Sequence, residues 1–180
     1  MAPSKATKTT SRSAPAAVGD DAGWMQGAIA LARRGLGRVA PNPAVGCILV
    51  RDGRVLGRGW TQPGGRPHAE TEAIRRARAA DPDGARGATC YVTLEPCAHH
   101  GKTPPCVDAL IEAGVARVVA ALEDPDPRVA GSGLQRLREA GMAVETGVEA
   151  AAAAELNAGY LLMRRQDRPL VTLKAATTLD

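Results

Sequence analysis

Residues 44–50 read Ala-Val-Gly-Cys-Ile-Leu-Val, a nearly continuous apolar run of strand length. Such a run is typical of a buried strand rather than one with a wet face. Asp52-Gly53 follows as a turn signal, and RVLGRGW (54–60) follows that, so a β-hairpin is expected. Further strands are expected at 88–94, 116–122 and 142–148, with helical stripes between them. Helices are expected at 22–34 and from His68 onward, the latter with Ala69, Ala73, Ile74 and Ala77 inward and Arg75, Arg76 and Arg78 wet. Others should start after Pro104-Pro105, carrying Val107, Leu110 and Ile111, and at 133–141, with one amphipathic helix over 149–166 closing the series. This order predicts the α/β class: a three-layer α/β/α sandwich with a mixed five-stranded sheet.

Charge excludes some functions. The 180 residues carry 23 Lys+Arg against 19 Asp+Glu, a net +4. Residues 1–19 hold Lys5, Lys8 and Arg12 and no acid, so +3 of that charge lies in the leader and the rest is nearly neutral. A nearly neutral body argues against a nucleic-acid partner. The aromatics are Trp24, Trp60, Tyr91 and Tyr160 alone, too few for a stacking platform. No apolar run reaches 18 residues, so no membrane partner is expected. Residues 1–20 are rich in Ser, Thr, Ala and Pro and lack an apolar stretch, which reads as a disordered tail and not a secretory signal. A cytoplasmic location follows.

The cysteines divide by context. Cys47 and Cys90 lie in β-like apolar runs and read as small core residues. Cys97 and Cys106 lie in a loop rich in Pro, Gly and His, a setting for metal ligands. His68, Cys97 and Cys106 supply three ligands for a tetrahedral zinc and leave one position open, the hallmark of a catalytic site. Glu70, two residues after His68, can reach a water there without ligating and can shuttle protons. His-x-Glu followed by Pro-Cys is the signature of zinc nucleobase deaminases, which usually end in Cys-x-x-Cys. Here eight residues, AHHGKTPP, separate the two cysteines. A closed, non-catalytic zinc module with His99 or His100 as fourth ligand is the alternative from a different functional class.

The chain resembles the N-terminal deaminase domain of the bacterial bifunctional riboflavin-biosynthesis deaminase/reductase, within the cytidine-deaminase-like superfamily. The resemblance rests on PNPAVGCILV (41–50), HAE (68–70), YVTLEPCAHHGKTPPC (91–106), DPDPRVAGSGLQRLREAG (124–141) and VTLKAATTLD (171–180). It implies hydrolytic deamination of 2,5-diamino-6-ribosylamino-4(3H)-pyrimidinone 5′-phosphate to the pyrimidinedione plus ammonia. His68, Cys97 and Cys106 would hold Zn2+, and Glu70 would be catalytic. Asn42 would hydrogen-bond the pyrimidine, His99 and Lys102 would line the pocket with Lys102 near the phosphate, and Asp124 would sit at the sugar.

Two positions depart from the family's pattern. Thr61 stands where a histidine is usual, and Asp126 where the family commonly has asparagine. Both fall among the expected substrate contacts, so a related pyrimidine of specialised metabolism, or another nucleobase, is the alternative substrate. The resemblance divides the chain into a tail (1–20), a zinc-dependent deaminase domain (21–167) and the start of a reductase-like second domain (168–180). It further implies a homo-oligomer, a dimer or higher, and a separate reductase as partner.

Overall fold

In a computed structural model of the chain, residues 21–101, 103–126 and 129–176 are described. The expected hairpin pairs β1 (Gly46–Arg51) with β2 (Arg54–Trp60). Asp52 and Gly53 both take positive φ, 51° and 70°, as a two-residue turn matched to strand twist requires. β3 (Thr89–Val92), β4 (Arg117–Ala120) and β5 (Ala143–Thr146) complete a sheet of order β2-β1-β3-β4-β5. β1 is antiparallel to both its neighbours, while β3, β4 and β5 are mutually parallel, so the sheet is mixed as predicted.

The helices are α1 (Asp21–Ala32), α2 (Ala69–Ala80), α3 (Cys106–Glu112), α4 (Ser132–Glu139), α5 (Ala150–Leu156) and α6 (Ala158–Gln166). Alternate residues of the central strands face opposite layers. Cys47, Leu49, Cys90, Val92, Val118 and Ala120 pack against α2, α3 and α4 through Ala73, Ile74, Val107, Leu110 and Leu137. Ile48, Val50, Tyr91 and Val119 pack against Met25, Ala28 and Ile29 of α1 and Ala153 of α5. The apolar run is therefore covered on both faces, which yields the three layers. Cys47 and Cys90 are buried free thiols with sulfurs 3.5 Å apart, core residues as expected.

Helix α2 lies almost on the backbone of β2. A Cβ at Gly57 would stand 2.1 Å from the Ala73 carbonyl oxygen, and one at Gly59 would stand 2.0 Å from that of Ala69. The missing side chains set the distance between helix and strand. On the opposite layer, Asp21 at the start of α1 accepts from Tyr91 Oη (2.6 Å) and from both Arg117 terminal nitrogens (2.9 and 2.6 Å). The Arg117 guanidinium holds the Asp21 carboxyl below its ordinary value.

One expectation needs correction. The single helix over 149–166 is two helices, broken at Asn157. Asn157 is buried and spends its amide on Ala44: Oδ1 accepts from Ala44 N (3.0 Å) and Nδ2 donates to Ala44 O (2.9 Å). That clamp redirects the chain and docks α6 against the 41–45 loop. Of the apolar residues expected on α3, Val107 and Leu110 turn inward and Ile111 is exposed. Residues 168–176 carry no regular secondary structure and are exposed. The expectation for the tail, 1–20, lies outside the described residues.

Two predictions follow from this packing. Gly59→Ala should destabilise the fold by about 3 kcal/mol, because α2 must move off the sheet to admit the methyl group; thermal unfolding checks this, and an unchanged midpoint would contradict it. Asp21→Asn should lower the unfolding midpoint at pH 7. The folded pKa of Asp21 is depressed, so its contribution is present above the unfolded value, about 3.9, and is lost as pH falls through the folded one. The midpoints of wild type and variant should therefore converge in strong acid.

Candidate active site

The site is assembled where three chain segments meet at one end of the sheet. His68 is extended (φ −70°, ψ 162°) and immediately precedes α2, so its ring leaves the chain just before the helix begins. Cys97 lies in the loop after β3, and Cys106 is the first residue of α3, behind Pro105. His68 Nδ1 stands 3.6 Å from Cys97 Sγ and 3.3 Å from Cys106 Sγ. The Cys106 N–H donates to Cys97 Sγ at 3.4 Å. All three ligand atoms lie within 4.8 Å of one another, and among the described residues no fourth His, Cys, Asp or Glu joins the group. One borderline nitrogen and two soft sulfurs at this separation fit a tetrahedral zinc with one open position. His99 and His100 stand outside the group, against the closed-module alternative.

The trio is electrostatically prepared. The Cys106 thiol and the His68 ring hold Cys97 down to about 4 as a thiolate. The same thiol–thiol contact, with burial, pushes Cys106 up. Asn42 stands on the far side of the imidazole: its Nδ2 donates to Gly65 O at 2.9 Å and lies 3.3 Å from His68 Nε2. Gly65 makes this possible, having φ +84° and no Cβ, which would meet the Asn42 side chain at 2.8 Å.

Glu70 sits in the first turn of α2 and is buried. Burial is the main cause that lifts its carboxyl to about 7. It lines a cavity of about 640 Å³ together with Asn42, Thr61, His68, Cys97, His99, Asp124 and Asp126. Of the expected site residues, all but Cys106 and Lys102 line this cavity; Cys106 is buried behind it against His68 and Cys97, and Lys102 lies outside the described residues. Thr61 is committed to the backbone: its hydroxyl accepts from Val45 N (3.0 Å) and donates to Pro43 O (3.1 Å), holding the 41–45 loop. His99 has a buried Nδ1 with no hydrogen-bond partner, a polar atom available to a ligand. Asp124 accepts from Tyr160 Oη (3.0 Å) and from Asp126 N (2.9 Å), and burial raises its carboxyl.

Sequence reasoning missed Glu95, Arg66, Tyr160 and Arg164, which also line the cavity. Glu95 is buried, and its two oxygens accept four backbone N–H groups: Asp124 (3.1 Å), Gly131 (2.9 Å), Gly133 (2.8 Å) and Leu134 (3.3 Å). It ties the 124–134 segment to the cysteine loop. The signal was an acid directly before Pro96-Cys97, at the end of an apolar strand. Arg66 Nη1 donates to Thr103 Oγ1 at 3.0 Å and so ties the entry to α2 to the loop between the two cysteines.

An imidazole, two sulfurs and a buried carboxylate two residues from the imidazole, on a sheet of this topology, define a zinc-dependent deaminase centre. The model of the cytidine and deoxycytidylate deaminase zinc-binding region matches residues 19–122, more than half of the chain, and the chain belongs to that family. It is 52% identical over 157 residues to the riboflavin biosynthesis protein RibD of Escherichia coli, covering 87% of this chain and 42% of that protein. Among solved structures it resembles Acinetobacter baumannii RibD (TM-score 0.77, 50% identity, 82% of this chain and 40% of that one). It also resembles the Thermotoga maritima diaminohydroxyphosphoribosylaminopyrimidine deaminase/5-amino-6-(5-phosphoribosylamino)uracil reductase (TM-score 0.79, 45% identity, 83% and 42%). The chain spans about two fifths of the length of these relatives. Among the described residues no helix is long and apolar enough to cross a membrane.

Glu95→Gln replaces one acceptor oxygen by a donor that faces backbone donors, whichever way the amide turns. The loss should be about 3 kcal/mol of stability, since bonds to charged acceptors contribute about 1.5–3 kcal/mol each. Urea unfolding measures it, and a midpoint equal to wild type would show that the carboxylate is not the tie.

Proposed function

We propose that this chain deaminates 2,5-diamino-6-ribosylamino-4(3H)-pyrimidinone 5′-phosphate to the pyrimidinedione with release of ammonia, in riboflavin biosynthesis. The observation that carries the reading is the buried Glu70 beside the His68–Cys97–Cys106 trio, in a cavity roomy enough for a phosphoribosyl pyrimidine. Support for the substrate comes from the RibD relatives and from the description of the Thermotoga protein.

In this reading His68 Nδ1 and the two Sγ atoms hold zinc. Bound there, zinc would supply Lewis-acid activation of water. Asn42, held by its bond to Gly65 O, meets the pyrimidine. Glu70 takes a proton from the attacking water at a carboxylate oxygen. It gives that proton to the ring nitrogen and then serves the leaving amine. Overall a C–O bond forms at the ring carbon bearing the 2-amino group, the exocyclic C–N bond breaks, one water is consumed and ammonia leaves. A carboxyl lifted by burial toward neutrality suits a group that must both accept and return a proton. His99 contributes a ring nitrogen to the substrate, Lys102 a cation for the phosphate, and Asp124 and Asp126 acceptors for the sugar. Thr61 shapes the wall through the 41–45 loop. The protein works in the cytoplasm as a homo-oligomer, and a reductase activity, on a continuation of the chain or a separate protein, consumes the product.

The test is ammonia release from the diaminopyrimidine phosphate by the zinc-loaded protein, beside a panel of cytosine, cytidine, dCMP, guanine and adenosine. Turnover of the phosphoribosyl pyrimidine alone is expected; preferential turnover of a panel member would overturn the substrate assignment. Glu70→Gln should retain stoichiometric zinc and lose at least about a thousandfold in kcat, at the scale of a positioned acid/base group. Retained activity in that variant would remove Glu70 from the proton path.

A further inference from the structure

The zinc chemistry uses one end of the sheet and leaves one of its edges open. β2 is an edge strand, and among the described residues β1 alone pairs with it. On one face of β2 lies α2. On the other face α1 is seated over β1, where a Cβ at Gly46 would stand 1.9 Å from the Ala28 carbonyl oxygen. Between α1 and the edge strand a groove of about 430 Å³ remains, and none of its lining residues lines the zinc cavity. Both walls run from apolar to cationic: Trp24 to Arg34 along α1 and the turn after it, and Val55 to Arg58 along β2.

Arg34 and Arg58 are exposed, and among the described residues no carboxylate pairs with either. The Arg34 guanidinium lies 4.9 Å from the Trp60 ring centroid, which places it at the rim of the groove. Arg76, 4.7 Å from the same centroid, is already held by Glu72 at 2.7 Å. Two uncompensated guanidiniums beside an apolar slot attract an anion that also carries an apolar part. The shape of the slot narrows its class. From Trp24 to Arg34 the helix runs about 15 Å at 1.5 Å per residue, the length of four or five extended residues. An open edge strand offers backbone N–H and C=O groups along such a length. We propose that this groove takes an acidic, extended peptide of a partner protein, added as a strand beside β2. Its carboxylates meet Arg34 and Arg58, and an apolar side chain lies between Trp24 and Val55. Residues 1–19 do not match the groove in charge, since they carry Lys5, Lys8 and Arg12 and no acid. A nucleic acid would find only this short run of cations on a nearly neutral body.

The experiment is calorimetry on the zinc-loaded full chain with capped, unlabelled peptides. The probes are Ser-Leu-Ser-Glu-Ser-Glu-Ser and its reversed sequence, which cover both strand directions and place Leu and Glu on one face. One of them should bind. Arg34→Glu and Arg58→Glu should each weaken that binding at least about tenfold, while Arg138→Glu, an exposed position on α4 in the opposite layer, should leave it unchanged. Ala30→Phe fills the groove from an exposed helix position without touching its charge, and should weaken binding by a similar factor. Unfolding midpoints near wild type would show that these variants fold. A peptide N-methylated at its serines keeps its carboxylates but loses strand hydrogen bonds, and should bind at least about tenfold more weakly. No binding of either acidic peptide at about 1 mM, equal binding of a peptide with Lys in place of Glu, or equal loss in Arg138→Glu would each overturn the proposal. So would an N-methylated peptide that binds as well as its parent, or an oligothymidylate that binds more tightly than the peptide and depends on Arg34 and Arg58.

Discussion

The close seating of α2 on β2 is the constraint on which the site depends. Two glycines, Gly57 and Gly59, let helix carbonyls occupy the space where side chains would otherwise be. The helix start then falls at the end of the sheet, and its last extended residue and first turn carry His68 and Glu70. Were the helix to stand off by the thickness of a methyl group, the imidazole and the carboxylate would move together away from the cysteines. Ligand geometry in this protein is thus a consequence of backbone packing. The soft donors then need only small adjustments, because the three atoms already lie within 4.8 Å.

The second half of the site is held by a different device. Glu95 gathers four backbone N–H groups onto one buried carboxylate and so fixes the segment that carries Asp124 and Asp126. Asn157 and Thr61 do the same for the 41–45 loop from two sides, one binding Ala44 and the other Val45 and Pro43. Three buried polar side chains therefore anchor the two loops beside the cysteines. A fully satisfied buried polar group specifies one arrangement, and breaking it is costly. This explains how a cavity lined largely by loops can hold a proton-transfer group and ligands in register.

Much of this was legible in the sequence where a signal is local. The apolar run at 44–50, the Asp52-Gly53 turn and the alternation of strands and helices give the three layers and the mixed sheet. The His-x-Glu and Pro-Cys spacing points to the trio and Glu70 because ligand types are chemically restricted. The errors came where a distant partner decides. Asn157 bonds to a residue 113 positions away, so a periodic helix reading carries straight through the break. Tyr160 and Arg164 look like the ordinary outer face of that helix until the break aims them at the cavity. Thr61, expected among the substrate contacts, lines the cavity and also ties the 41–45 loop through its hydroxyl, a bond that no local signal announces. Glu95 resembles an unremarkable polar strand end until its four donors are seen.

The central claim is that His68, Cys97 and Cys106 hold one zinc and leave a fourth position for solvent. Zinc-edge X-ray absorption on the zinc-loaded protein tests it directly. The account predicts two sulfur scatterers at about 2.3 Å and two light ones, one imidazole nitrogen and one water oxygen, at about 2.0–2.1 Å. Outer-shell scattering from a single imidazole should accompany them. Scattering from two imidazoles with two sulfurs would mean a closed site, with His99 or His100 as fourth ligand, and would contradict the account.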